Sequence, residues 1–174
     1  MKINISWLRE RKACIEGINW FLEKYSEQLE GVEYQSVLDA LARENKSEWA
    51  GWLMTKAGST NEVLEIEGDL VCEHSLFFAG FIKVSKNISV VGDVKAGWSV
   101  TAGGDVKAGG DVKAGVDVTA GGDVKAGGSV KAGWDYGIYV GLSVKVSLKS
   151  QYAIVCSKIK PSNLLLGEWK ENKA

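Results

Sequence analysis

The chain has one histidine, His74, set between Glu73 and Ser75. Imidazole is the usual general base of acyl transfer, and a carboxylate and a hydroxyl are suitable neighbours for it. Such chemistry also needs a loop that projects over a substrate, and no inserted loop interrupts this region. Cys14, Cys72 and Cys156 contain no CxxC pair, so they form neither a disulfide framework nor a zinc site. The glycines lack the GxxxxGK[ST] order of a phosphate loop. Aspartate recurs every sixth residue through the middle of the chain, out of step with nine-residue calcium repeats. Thr101 and Thr119 are too few for a threonine ladder on ice. These absences predict a non-enzyme with no catalytic residue, no metal and no cofactor, and His74 is expected to be a coil or cap residue.

Bulk composition narrows the partners. Of 174 residues, 21 are Lys or Arg and 22 are Asp or Glu, for a formal charge of −1. No charge excess favours nucleic acid or an anionic membrane. The opening "MKINISWLRERKACIEG" is too charged for a secretory signal, and no apolar run approaches the length of a membrane span. A cytoplasmic protein with reduced thiols is expected. The 21 glycines against one proline point to recurrent structural glycine rather than linker.

What positions these residues is a repeat. The stretch "GWSVTAGGDVKAGGDVKAGVDVTAGGDVKAGGSVKAGWDYG", residues 97–137, rewrites Asp-Val-Lys-Ala-Gly-Gly with few changes. Val94, Val100, Val106, Val112, Val118, Val124 and Val130 anchor it, and steps of six reach back to Leu64 and forward through Tyr136 to Ile154. The position two residues after each anchor is also apolar or small, which places both on one side of a short strand. Gly-Gly then turns the chain, either where side chains would clash or where φ must be positive. One such strand cannot bury its valine alone, but stacked coils about 4.8 Å apart can. Trp98, Val116 and Trp134 replace glycine at a spacing of 18, and Thr101 and Thr119 replace lysine at the same spacing. Eighteen is three hexads, so the reading is a triangular β-helix of about five coils over residues 63–157 with no break in phase.

Two faces carry Asp and Lys columns, Asp93, Asp111, Lys95, Lys113 and Lys131 on one and Asp105, Asp123, Lys107 and Lys125 on the other. They read as solvated neutral surfaces. The remaining face has anchors Val100, Val118 and Tyr136 and no lysine in its repeats. Beside it runs the column Trp98, Val116, Trp134 and Tyr152. These aromatics either fill a corner from inside or form an outward apolar stripe, and in the second case they make a self-association surface with Thr101, Thr119 and Tyr136.

Residues 1–57 read as a small helical domain. Cys14, Ile18, Phe21, Leu22 and Tyr25 form an apolar stripe at helical spacing. Gly31 marks a break, Val37, Leu38 and Leu41 a second helix, and "KSEWAGWLMTKAG" a third with Ser47 as N-cap and Gly58 as stop. Trp7, Trp20, Trp49 and Trp52 are either its core or a protein-binding patch, since a small bundle does not easily bury four indoles. The domain is expected to cap the solenoid or to bind a partner. Residues 158–174, with Leu164, Leu165, Leu166 and Trp169, are read as a C-terminal cap or tail.

The Gly-Asp-Val-Lys-Ala-Gly rhythm over residues 63–157 resembles bactofilin-like β-helices. "ACIEGINWF" followed by "EWAGWL" resembles a Trp-rich helical module seen in phage and bacterial proteins of unknown role. The first resemblance implies a right-handed triangular coil and a polymer-forming scaffold. The second implies an adaptor, or an inhibitor of a host defence enzyme. Hexapeptide acyltransferases also build solenoids, but their order of small residue and anchor is reversed here. The fold class expected is α+β, a helical domain followed by a β-helix. The function expected is non-enzymatic binding or assembly, with a protein partner, itself, or both.

Overall fold

The computed structural model describes residues 1–28, 30–133, 137–139, 154–157 and 168–171. Four helices form the N-terminal part: α1 (Ile5–Glu10), α2 (Ile15–Tyr25), α3 (Tyr34–Arg43) and α4 (Ser47–Ala57). The short strands β1 (Lys2–Ile3) and β2 (Val32–Glu33) pair antiparallel beside them. Gly31 at φ +97° ends the connection to β2, and Gly58 at φ +80° stops α4. Leu8, Phe21, Val37, Leu38, Leu41 and Leu53 make the core of this part. Among the described residues, no helix is long and apolar enough to cross a membrane.

A parallel β-solenoid follows. Its first face stacks β3 (Val63–Ile66), β6 (Phe81–Val84), β9 (Val100–Ala102) and β12 (Val118–Ala120). The second stacks β4 (Leu70–Cys72), β7 (Ile88–Val90), β10 (Val106–Ala108) and β13 (Val124–Ala126). The third stacks β5 (Leu76–Phe78), β8 (Val94–Ala96), β11 (Val112–Ala114) and β14 (Val130–Lys131). The pairs Val100↔Val118, Val106↔Val124 and Val94↔Val112 fix the turn at 18 residues. The anchor valines are fully buried in a single column of core.

The regular part has about four turns, not five, and the phase does break. Val118 pairs with Ile138, 20 residues on, in β15 (Gly137–Tyr139). Ile138 pairs with Val155 in β16 (Ile154–Ser157), and Val155 with Trp169 in β17 (Glu168–Glu171). The described residue in register with Val118 is therefore Ile138; Tyr136, the anchor expected from a strict step of 18, lies outside the described residues. Ile138 is completely buried in the core column.

The repeat's composition follows from how closely the turns approach. Among the described corner glycines of the solenoid only Gly68, at φ +106°, has positive φ; for the Gly-Gly corners of the repeat the clash alternative holds. A Cβ on Gly109 would lie well under 3.0 Å from the carbonyl oxygen of Val91, one turn below. A Cβ on Gly110 would strike the carboxylate of Asp93 in the same way. That carboxylate is where it is for a reason: Asp93 Oδ1 accepts the backbone N–H of Asp111 at 2.8 Å. Asp111 Oδ1 accepts Ser129 N–H at 2.7 Å, and Asp105 Oδ1 accepts Asp123 N–H at 2.9 Å. Asp105 and Asp111 thus each bond the equivalent residue one turn up and pair sideways with the lysine two residues on, Asp111 with Lys113 at 2.5 Å and Asp105 with Lys107 at 3.0 Å. These columns are an inter-turn ladder as well as a solvated surface.

The helical part docks beside the first two turns. Phe77 points outward from β5 yet is buried against the helices. The Gln35 side chain donates to Phe77 O at 2.7 Å and accepts from Ala79 N at 3.1 Å. Those two groups face away from β8, so one side-chain amide stands in for a missing strand. Lys95, expected among the solvated lysines, is buried. Its Nζ donates to Ser47 O and lies over the Phe77 ring at 4.9 Å. Burial pushes the Lys95 pKa down, with Asp93 opposing. The Ser47 hydroxyl does not cap α4; it bonds Asp93 Oδ2 across the junction at 2.5 Å. The helices therefore cover one of the three edges of the first turn rather than the whole end.

Two outcomes follow from the ladder. Asp111→Ala strands the Ser129 N–H and should cost about 1–3 kcal/mol in chemical denaturation. Asp111→Asn keeps the acceptor, as Asn87 does for Asp105 at 2.8 Å, and should cost under about 1 kcal/mol. Equal losses would contradict the ladder. Acid supplies the second test. The Asp123 N–H, then Lys107, hold the Asp105 pKa below the ordinary 3.8; Lys113, then the Ser129 N–H, do the same for Asp111. A depressed carboxylate contributes stability that is full above its unfolded pKa and lost as pH falls through the folded one. The melting midpoint should hold from neutral pH to about 4 and drop below that; a flat profile to about pH 2.5 would refute the assignment.

Candidate protein-binding site

The four tryptophans of the helical part are neither buried core nor free surface; all are half-buried. Trp7 meets Trp52 edge to face at 6.3 Å, and Trp20 meets Trp49 at 6.1 Å. Between α2, α3 and α4 lies an open apolar cavity of about 300 Å³. Its walls include Gly17, Trp20 and Phe21 from α2, Val37 and Leu41 from α3, and Trp49, Trp52 and Leu53 from α4. Trp7 stands behind Trp52 and is not part of the wall.

Three of the indoles meet charged groups, Trp20 at its edge and Trp7 and Trp49 at their faces. Glu44 accepts from Trp20 Nε1 at 2.7 Å and from Lys24 at 2.5 Å. The Lys24 bond, with Trp20 adding to it, pulls the Glu44 pKa below the carboxylate range. Lys46 lies 4.4 Å over the Trp49 ring, and Arg11 lies 4.4 Å over Trp7. Such contacts fix ring orientation at a worth of about 0.5–1 kcal/mol each. Lys12 and Glu48 complete the lining on its polar side.

The helix that carries Gly17 leaves apolar surface uncovered. Ile15 and Leu22, seven residues apart and so on one helix face, are 73% and 41% exposed. Cys14, expected in the buried stripe, is exposed and caps α2, its Sγ accepting Gly17 N–H at 3.4 Å. Gly17, in the first turn of α2, lines the cavity without a side chain of its own. A glycine in the first turn of an otherwise apolar helix face was the sequence signal for this site.

The solenoid candidates are arranged differently. Trp98 stacks nearly parallel on Phe81, 5.7 Å between centroids. Phe81 alternates with the buried Ile82 and so points out of the coil, which places the Trp98 ring on the outer side of the corner. Among the described residues, Trp98 Nε1 and Thr60 Oγ1 are buried without a hydrogen-bond partner. Val116 follows Trp98 one turn up, its N–H bonding Trp98 O at 3.2 Å. Thr101 and Thr119 are paired across β9 and β12 and half-buried. Trp134, Tyr136 and Tyr152 lie outside the described residues. His74 sits between β4 and β5, with Nδ1 2.7 Å from Ser75 O and 3.2 Å from Cys72 Sγ.

With this geometry in place, comparison with known proteins addresses the helical part. Residues 1–61 match the family model described as the YdhT N-terminal domain. The match ends just before β3, so it covers the helices and their cavity but not the solenoid. No curated protein and no solved structure matches the chain.

Proposed function

We propose that the protein is a non-enzymatic binding protein. Its helical part takes the apolar face of a partner helix into the cavity between Trp20, Trp49 and Trp52, and the solenoid serves as a rigid arm. One observation carries this reading: an open cavity walled by three indoles, beside the exposed Ile15 and Leu22. Half-buried tryptophans with fixed orientation are what protein-binding hot spots use, and a groove between helices suits an amphipathic helix. An adaptor or an inhibitor would both be served by such a site. The Trp98 side of the rod carries less of the argument, because Trp98 already stacks on Phe81. A second reading, a self-assembling scaffold of the bactofilin kind, draws support from the open edges that the first turn leaves beside Gln35.

Gly17→Leu tests the first reading without removing any wall. The nearest atom to a Cβ there is the flexible Cys14 Sγ at 3.3 Å, so the variant should stay folded, with stability within about 1 kcal/mol of wild type. The leucine should fill the cavity. Partners cross-linked to the wild-type protein in native extract should fall about tenfold with the variant, and undiminished cross-linking to a folded variant would rule the cavity out.

A further inference from the structure

The first turn of the solenoid ends in an open, acidic edge. β3 and β4 are terminal strands of their sheets among the described residues. Leu70 N bonds Asn87 O, and Cys72 O accepts Val91 N, so residues 70 and 72 face β7. By the alternation of a parallel strand, the N–H and C=O of Val71 face outward, away from any described strand. Glu62 O and Ile66 O accept from Phe81 and Ser85, which turns Val63 and Glu65 to the open side in the same way. Side chains agree: Val71 is 72% and Val63 51% exposed. The inward Leu64, Ile66, Leu70 and Cys72 are only partly buried, whereas Ile82, Val84, Ile88 and Val90 one turn up are at most 4% exposed.

Charge then selects what can pair there. Between Lys56 and Lys83 the chain has no Lys or Arg, but it has Glu62, Glu65, Glu67, Asp69 and Glu73. All five are exposed. Lys83 pairs with Glu65 at 2.5 Å, and Asp69 is held by the N–H and amide of Asn87. The excess is local, since the repeats above balance Asp with Lys. A second copy meeting this edge head to head would bring two acidic rims together, a device that guards strand edges against self-pairing.

We infer that the first turn is a docking edge for an extended, basic segment of a partner protein, which adds as a strand along β3 and β4. Backbone groups of Val63, Glu65 and Val71 supply the hydrogen bonds, alternate apolar side chains cover the half-buried Leu64 and Leu70, and Lys or Arg answers the exposed carboxylates. This surface is separate from the indole cavity, and either could fail without the other.

The test is titration of the full chain with the peptides acetyl-(Lys-Val)4-amide and acetyl-(Glu-Val)4-amide, read by calorimetry and by amide hydrogen exchange. The lysine peptide should bind at least about tenfold more tightly than the glutamate peptide and weaken with salt. It should protect the amides of Val63, Glu65 and Val71. Val71→Pro removes an outward N–H, and the charge reversal Glu67→Lys with Glu73→Lys alters only exposed side chains; each should weaken binding about tenfold. Absence of binding, equal affinity for both peptides, or binding without protection of these amides would overturn the inference. So would protection of the same amides by raised protein concentration alone, which would make the edge a self-contact.

Discussion

Each turn of the rod hangs from the one below through a carboxylate oxygen and a backbone N–H, and this inter-turn bond constrains everything around it. An aspartate beside the strand must reach up one strand spacing, so nothing larger than hydrogen fits at the glycine that passes above it. The neighbouring glycine passes over a carbonyl and is constrained equally. With two of six positions committed to glycine and one to aspartate, only the anchor and the small residue after it remain for the core. The core is therefore one column of valine lined by alanine, and it gains stability by repetition rather than by bulk. Lysine holds the free oxygen of the carboxylate and leaves the outer surface neutral.

The same ladder explains how a helical domain can be held on so uniform a rod. Its contacts use the few places where the repeat departs from rule: Phe77 where lysine stands higher on the face, Ser75 where aspartate would be, and the edge groups of β5 that Gln35 engages. Ser47 takes the second oxygen of Asp93, and so competes for the position that lysine occupies elsewhere, while Lys95 turns toward the backbone of α4. The domain is locked to one face and one end. That leaves its indole cavity and the acidic first turn on the same part of the molecule, with the regular turns extending away from both.

Much of the fold was legible in the sequence. Unbroken valine spacing and substitutions at a period of 18 specified three short strands per turn, because buried anchors must stack in register. A helix carrying Ile18, Phe21, Leu22 and Tyr25 and another carrying Val37, Leu38 and Leu41 followed from apolar spacing, a third within residues 46–58 from its flanking signals, and Gly31 and Gly58 marked real breaks. The change of phase at Ile138 was hidden, since a strict step of six meets an apolar residue at Tyr136 and gives no sign of a step of 20. The aspartate ladder was hidden as well. Composition shows that Asp and Lys cancel, but not that one oxygen bonds 18 residues on. Burial of Lys95 and the use of Ser47 at the junction depend on where the helices dock, which no local pattern encodes. At the candidate site, the four tryptophans were found by type, but the cavity that three of them line depends on how α2, α3 and α4 pack.

The most direct measurement is the unfolding free energy of Gly109→Ala. A glycine retained only for turn flexibility, at ordinary φ, would gain about 0.4–1 kcal/mol on replacement by alanine, through loss of unfolded-state entropy. Close approach of the turns gives the opposite sign, because the new methyl would meet the Val91 carbonyl. The account predicts a loss of about 1–3 kcal/mol. A neutral or stabilised variant would contradict it.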